Sequence, residues 1–259
     1  MSSEDAQAFT RRFGWPIMGK KFPLAIGHRG ASGHATENTL AAFARASDLG
    51  ADMWELDTQR TKDGVCVVSH DDNLRHVFGL EVRISELTAA ELATLEGASV
   101  PSFAAVAALA RARDAGLYVE LKAAGTGPLV LQELLRHGQR FAALGSFEVA
   151  QLLEMRDAGC SYPLSVLVRV GADPHALADQ ARADIMHLCW ERAGPRPQDL
   201  VTTALIERAR RGGRQIVLWH EERADIIADI ITLPVLGICS DRPEMLRPAA
   251  TARAFNVRR

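Results

Sequence analysis

The stretch "WELDTQRTKDGVCVVSHDD", residues 54–72, decides how the chain folds. Two acids, Glu55 and Asp57, stand two apart in an apolar run typical of a buried strand, so both carboxylates face the same side. Only "RTKDG" separates this run from a second one, "VCVVSHD". Such a short connection predicts an antiparallel hairpin. Pairing across its turn returns His70 to the side of Asp57.

A second pair of charged residues extends this pattern. In "LYVELK", residues 117–122, Glu120 and Lys122 are again two apart and share one strand face. Buried carboxylates are costly unless a cation accompanies them. Carboxylate oxygens favour a hard divalent ion, so Glu55, Asp57 and Glu120 predict a site for one Mg²⁺ or Ca²⁺, with Mn²⁺ also possible.

Eight apolar runs alternate with amphipathic stretches along the chain, which predicts an α/β TIM (β/α)8 barrel. A doubly wound sheet is the competing fold, but "GHRGASGHA" is a poor match to its glycine-rich phosphate loop. The eight runs are residues 22–28, 51–57, 117–122, 141–147, 163–170, 184–190, 214–220 and 236–241.

The domain organisation follows from this alternation. Residues 1–21 form an extension with no clear element, and residues 22–259 form a single barrel domain. The hairpin follows the second strand, and an insertion at about 72–100 precedes the next barrel helix. Within the insertion, "LTAAELATLE" predicts one short helix, because Thr88 and Glu91 have the spacing of a capping box.

Composition excludes several classes of protein. The 259 residues carry 30 Lys plus Arg and 32 Asp plus Glu, a net charge of −2 that predicts no nucleic-acid partner. No apolar run approaches 18 residues, so we expect no membrane-spanning segment, and the polar start does not resemble a signal peptide. Four scattered cysteines without CxxC spacing favour reduced thiols and a cytoplasmic location. The sequence leaves the oligomeric state open.

Other polar residues stand where the predicted strands end, which is where TIM barrels place their chemistry. Arg29 and Lys122 suit a phosphate, and His28 and His70 have side chains that exchange protons near neutral pH. Together with a metal they favour cleavage of a phosphodiester P–O bond. We expect Asp241 to cap the last short helix. The other histidines show no partner pattern and are expected on the surface or in the core: His34, His76, His137, His175 and His187.

Four blocks of the sequence closely resemble the glycerophosphodiester phosphodiesterase family, in order and spacing, from about residue 24 to 246. The blocks are "HRGASGHATENTLAAF", "ELDTQRTKDGVCVVSHDDNL", "VELK" and "VLWHEERADIIADIITLPVLGICSDRPEML". The resemblance implies a TIM barrel, a divalent metal and hydrolysis of glycerophosphodiesters to sn-glycerol 3-phosphate and an alcohol. The small-molecule glycerophosphodiester would be the partner.

Carried onto this chain, the family's residues predict a complete site. They imply that His28 and His70 are catalytic, without deciding which is acid and which is base. The implied metal ligands are Glu55, Asp57 and Glu120, and the implied substrate contacts are Arg29, Lys122 and Trp219. Glu37 and Asn38 either support the site or cap the first barrel helix.

Departures from the family pattern leave alternatives open. The chain has Thr36 where proline is common, "DDNLRHVFG" after the hairpin, and His220 and Glu221 after Trp219. Residues 72–80 and 220–223 are therefore expected to line the outer pocket and to vary substrate choice. The alternatives are a lysophospholipase D-like enzyme on the same scaffold and a non-catalytic phosphate-binding barrel.

Overall fold

Eight parallel strands close into a barrel in the computed structural model, which describes residues 3–16 and 20–247. β1 pairs with both β2 and the last strand, β9, and so completes the ring. The predicted TIM barrel is thereby confirmed. The strands are β1 (Leu24–Gly27), β2 (Met53–Arg60), β3 (Cys66–Val68), β4 (Gly116–Leu121), β5 (Ala142–Ser146), β6 (Leu164–Arg169), β7 (Ile185–Cys189), β8 (Gln215–His220) and β9 (Gly237–Ser240).

Helices connect the barrel strands and cover their outer face. The helices are α1 (Ser3–Arg12), α2 (Leu40–Asp48), α3 (Arg75–Phe78), α4 (Ala89–Ala93), α5 (Phe103–Ala112), α6 (Thr126–Arg136), α7 (Val149–Asp157), α8 (Pro174–Gln180), α9 (Thr203–Arg211) and α10 (Ala224–Ile230). A 3₁₀ turn at Pro243–Leu246 follows β9. Hydroxyl caps at Thr39, Ser102 and Thr202 begin α2, α5 and α9 by accepting backbone N–H bonds of the first turn.

The hairpin predicted from residues 54–72 is present. β3 runs antiparallel to the end of β2, with Thr58 opposite Val68, and is the one strand outside the parallel ring among the described residues. The Ser69 N–H donates to the carbonyl of Asp57 at 3.0 Å. The returning arm therefore brings His70 back to the barrel mouth, as the short connection predicted.

The insertion is a small satellite of the barrel. It contains α3, α4 and a 3₁₀ turn at Ile84–Glu86, which pack around Val67, Leu74, Ile84 and Leu92. Thr88 and Glu91 form the predicted capping box at the start of α4. The insertion thus has its own apolar contacts and leaves the order of the barrel strands unchanged.

The amino-terminal extension differs from its prediction, because α1 is an ordered element of residues 1–21. Phe9 and Trp15 join the apolar cluster at the amino-terminal end of the barrel, where the ring centroids of Trp15 and Phe141 are 5.0 Å apart. The helix was missed because the sequence around it is polar. Its few apolar side chains are explained only by the open barrel end that they cover.

Alternation along the strands divides the barrel interior into two zones. Leu24, Ile26 and Met53 fill the amino-terminal half, whereas most of the inward positions at the carboxyl-terminal half are polar or charged. Among the described helices none combines the length and the apolar character needed to cross a membrane. The polar half of the barrel is the place to look for chemistry.

Candidate active site

Three carboxylates meet at the carboxyl-terminal mouth of the barrel. Glu55 and Asp57 share the inner face of β2, and Asp57 is the register partner of Glu120 on β4. Each of the three offers an oxygen within 4.8 Å of the others. Glu55 and Asp57 are only 4% and 1% exposed, so solvent does little to screen their mutual repulsion.

The protonation of two of these acids is strongly perturbed. Burial, together with the charges of Asp57 and Glu120, raises the pKa of Glu55 well above its ordinary value. Burial and the charge of Asp57 likewise raise the pKa of Glu120 to about 7, although the nearby Lys122 ammonium opposes the shift. Two buried acids therefore resist ionisation in the absence of a further cation.

The negative charge of Asp57 is compensated by cations and hydrogen-bond donors of the protein itself. Burial alone would raise its pKa, but Arg29, Lys122 and His70 lower it together. Its Oδ2 lies 3.4 Å from Arg29 Nε and accepts a 2.9 Å bond from Asn38 Nδ2, and its Oδ1 lies 3.6 Å from Lys122 Nζ. Lys122 also lies 3.1 Å from Glu120.

The structure separates the two roles considered for residues 37 and 38. Helix α2 is capped by Thr39, so the capping alternative for Asn38 is wrong. Asn38 adopts a left-handed backbone conformation with φ 57° and binds Asp57 through its side chain. Glu37 accepts two bonds from Arg29 Nη1, at 2.9 and 3.0 Å. Both residues therefore hold members of the charged cluster.

The charges at the mouth do not balance. Glu37, Asp57 and Glu120 pair with two permanent cations, Arg29 and Lys122, and Glu55 accepts the Arg29 backbone N–H. With all four carboxylates ionised, four minus two leaves two uncompensated negative charges. Closely spaced oxygen donors with an excess charge of two fit a hard divalent cation. The donor set of Glu55, Asp57 and Glu120 therefore fits the metal predicted from the sequence.

His70 lies beside this cluster, on the arm that follows β3. Its backbone carbonyl accepts a 3.0 Å bond from Gln59 Nε2, and its Nδ1 lies 3.0 Å from Asp71 Oδ1. Burial lowers the pKa of His70, opposed by the charge of Asp57. The hairpin and these two bonds fix the imidazole beside the acids.

His28, directly after β1, has a partner that the sequence analysis missed. Its Nδ1 lies 2.6 Å from Asp241 Oδ1, and its Nε2 lies 4.0 Å from Glu55 Oε2. The expectation that Asp241 caps the last short helix is wrong, because Arg242 takes that position without a side-chain bond. Burial would raise the pKa of Asp241, but the His28 hydrogen bond and charge lower it to about 2.

A third histidine, His220, stacks face to face on His28 with ring centroids 4.3 Å apart and planes 2° from parallel. His28, His220 and Asp241 bring possible ligand atoms within 4.8 Å of one another. Each imidazole nitrogen binds a metal in the plane of its ring, and parallel stacked rings cannot both aim at one ion. This group is therefore a hydrogen-bonded support for His28. Asp241 is itself held by a 2.8 Å bond from its N–H to Glu222.

These residues surround one cavity of about 300 Å³. Trp219 forms part of its wall, with the indole N–H donated to buried Glu221 at 3.2 Å. Of the ten predicted site residues, seven line the cavity, and Glu37, Asn38 and Asp57 are bonded to cluster members just behind it. The lining residues are His28, Arg29, Glu55, His70, Glu120, Lys122, Phe147, Leu167, His187, Cys189, Glu191, Arg192, Trp219, His220 and Cys239.

The expected outer pocket is only partly present. His220 lines the catalytic cavity, as expected for residues 220–223. Residues of the 72–80 segment instead line a separate depression with Asp71 and Arg83. That segment is the first part of the insertion and is bonded to a later part of it, for example by the Ser85 N–H, which donates to Asp72 Oδ1 at 2.8 Å.

Comparison with known proteins identifies the family of the chain. A model of the glycerophosphoryl diester phosphodiesterase family matches residues 28–245. A glycerophosphodiester phosphodiesterase of Caldanaerobacter subterraneus subsp. tengcongensis is 28% identical over 240 residues, which cover 86% of this chain and 96% of that protein. A human lysophospholipase D is 52% identical over 67 residues, which cover 26% of this chain and 21% of that protein.

Solved structures agree with the fold. The glycerophosphodiester phosphodiesterase of Agrobacterium tumefaciens superimposes with a TM-score of 0.75 at 25% identity, covering 87% of this chain and 99% of that one. An Oleispira antarctica phosphodiesterase in complex with sn-glycerol 3-phosphate superimposes with a TM-score of 0.73 at 19% identity, covering 86% and 95%. The resemblance found in the sequence and the assignment as a phosphodiesterase are confirmed: the chain belongs to the glycerophosphoryl diester phosphodiesterase family.

Proposed function

We propose that the chain hydrolyses glycerophosphodiesters to sn-glycerol 3-phosphate and an alcohol, with one divalent cation and two histidines. The observation that carries the proposal is the uncompensated acid cluster of Glu55, Asp57 and Glu120, flanked by His28 and His70. The cation would be Mg²⁺ or Ca²⁺, with Mn²⁺ as a further choice. We keep the cytoplasm as the predicted location.

Each residue has a role that follows from its contacts. Glu55, Asp57 and Glu120 would hold the cation, which when bound withdraws charge from the phosphoryl oxygens. Lys122 and the part of Arg29 not bound to Glu37 face the cavity and would bind the phosphate. Bound in this way, a phosphodiester would lie within reach of both histidines, which line the same cavity.

We assign one proton transfer to each of the two histidines. Because Asp241 stays ionised, it accepts the Nδ1–H of His28, which leaves a lone pair on Nε2. His28 would therefore take the proton of the attacking hydroxyl. His70 would act in its protonated form, which the charges of Asp57 and Asp71 favour, and would give its proton to the departing alkoxide. Asp241 is a positioning residue, since it acts through His28.

A lysophospholipase D-like activity is the second candidate, supported by the local match to the human lysophospholipase D. Phe147 and Leu167 give the cavity an apolar side on which a lipid chain could rest. The two candidates differ in the substrate and share the chemistry.

One experiment tests the proposal and separates the candidates. The purified chain is assayed on glycerophosphocholine, glycerophosphoethanolamine and lysophosphatidylcholine, with Mg²⁺, Ca²⁺ or Mn²⁺ and after treatment with EDTA. We expect hydrolysis of the glycerophosphodiesters that EDTA abolishes and added metal restores. Full activity after exhaustive chelation would refute the metal, and a strong preference for the lysolipid would favour the second candidate.

A further inference from the structure

A buried histidine that the proposed chemistry does not use lines the catalytic cavity from below. His187 lies in the middle of β7, opposite Leu167 on β6 and Val217 on β8. Cys189, two residues further along β7, faces the same side and lines the cavity nearer the mouth. His187, Leu167 and Cys239 therefore form the lower layer of the cavity.

The ring of His187 is held rigidly. Tyr118 meets it edge to face, with centroids 5.3 Å apart and planes at 89°, and the Tyr118 hydroxyl is itself 2.5 Å from Ser165 Oγ. His187 Nε2 lies 3.9 Å from Cys239 Sγ, a long contact to a weak partner. A fixed ring suits the recognition of a small ligand group.

The hydrogen-bonding capacity of His187 is unused. The residue is 6% exposed, and its Nδ1 is buried without a hydrogen-bond partner among the described residues. Buried polar atoms are nearly always paired. The His187 side chain lines the cavity, and its Nε2 has only the long contact to Cys239, so a polar group that enters the cavity would supply a better partner. Burial also lowers the pKa of His187 to about 3, which keeps the imidazole neutral, with one donor and one acceptor.

We propose that His187 binds the terminal hydroxyl of the substrate's glycerol and so selects for a complete glycerol moiety. The inference rests on the proposed function. A neutral imidazole suits a hydroxyl, which both donates and accepts, better than it suits a phosphate. Phosphate is drawn instead to Arg29 and Lys122 near the mouth. The terminal hydroxyl lies furthest from phosphorus and can reach the lower layer, while the variable alcohol points to solvent.

The test compares two substrates on three proteins. The substrates are glycerophosphocholine and the analogue in which a methyl group replaces the terminal CH₂OH. We expect the native chain to prefer glycerophosphocholine by about 10-fold or more in kcat/KM. His187→Phe keeps the ring without its nitrogens and should reduce this preference to within about 3-fold. His187→Gln, which retains a donor and an acceptor, should recover part of it.

A matched control exists elsewhere in the chain. His175 on α8 is also buried, with Nε2 unpartnered among the described residues, but it lies outside the cavity lining. His175→Phe should keep the full preference for the terminal hydroxyl. If His187→Phe does not fold, His187→Leu replaces it in the same comparison.

The outcomes distinguish the inference from the function on which it rests. Equal losses on both substrates in the His187 variants, as expected for a residue that binds only an ordered water, would overturn the inference. So would a native chain that does not discriminate between the two substrates. A native chain that hydrolyses neither substrate with any of the three metals would overturn the proposed function, and the inference with it.

Discussion

Acids occupy both ends of this barrel, but their surroundings differ. At the amino-terminal end, Asp184 accepts the Leu164 N–H at 3.0 Å and pairs with Arg156 at 2.6 Å and Arg12 at 3.3 Å. Asp52 is bonded in the same way, to the Ala25 N–H, Lys20 and Arg247. Each of these acids stands alone among cations and donors.

At the carboxyl-terminal end, four acids share the neighbourhood of two cations. Glu55 receives one backbone N–H, from Arg29 at 2.9 Å, and its other neighbours are carboxylates and the His28 imidazole at 4.0 Å. The first arrangement is complete and fastens neighbouring strands together. The second arrangement leaves negative charge uncompensated, so a bound cation would stabilise it. An uncompensated cluster of charge is therefore a better indicator of a ligand site than the number of charged residues.

The largest effect should come from the histidines beside the incomplete cluster. His28→Ala and His70→Ala should each lower kcat by at least about 10²-fold, because each would remove one of the two proposed proton transfers. The melting temperature should stay close to that of the native chain, since neither ring fills the apolar core. Steady-state kinetics with thermal melts measure both. A variant with near-native turnover would exclude that histidine from the mechanism.

The opposite end of the barrel should respond in stability alone. Trp15→Ala removes an indole packed on Phe9 and Phe141, and we expect it to lower the free energy of unfolding by about 3 kcal/mol. Turnover measured well below the melting temperature should remain within about 2-fold of the native value. Urea unfolding gives the first quantity. A large loss of kcat in the folded variant would show that the two ends are coupled.

The sequence predicted those parts of the site whose residues lie close together along the chain. Glu55 and Asp57, Glu120 and Lys122, and the hairpin that returns His70 all follow from strand periodicity and one short turn. The barrel fold followed from eight repeats of one pattern. These features are encoded locally, so they can be recognised without coordinates.

The missed features depend on contacts between distant segments. Asp241 meets His28 only because the closing barrel places β9 beside β1, with the His28 N–H bonded to the Ser240 carbonyl. The predicted closed barrel already implied that the last strand lies beside the first, so the contact between Asp241 and His28 could have been predicted from the sequence. Asn38 was uncertain because it stands in the turn before α2, whereas its partner, Asp57, lies on β2. Helix α1 gains its apolar contacts only from the finished barrel.

A matched pair of acid substitutions tests the comparison directly. Asp184→Asn loses two ion pairs and should lower the free energy of unfolding by about 2 kcal/mol, with unchanged turnover. Glu120→Gln relieves repulsion at the mouth, so in the presence of EDTA its stability should equal or exceed that of the native chain. Glu120→Gln should also lose most of the stabilisation that added divalent ion gives the native chain. Equal destabilisation by both substitutions would mean that the acids at the two ends of the barrel are equally well compensated by their neighbours.

The smallest effect concerns Asp241, which acts on the reaction through His28. Asp241→Ala removes the acceptor of the His28 Nδ1–H, so the ring loses one of the contacts that fix its tautomer and orientation. We expect kcat to fall by about 10-fold, the lower end for a residue that orients a reacting group, because stacking on His220 still restrains the ring. KM should change little, since Asp241 lies outside the cavity lining. Asp241→Asn keeps an oxygen that accepts the Nδ1–H, and it should therefore retain more of the native kcat than Asp241→Ala. If the two variants instead lose kcat equally, the negative charge of Asp241 matters more than the orientation it gives to His28. If neither loses kcat, the 2.6 Å contact belongs to the packing of β9 against β1 and has no part in catalysis.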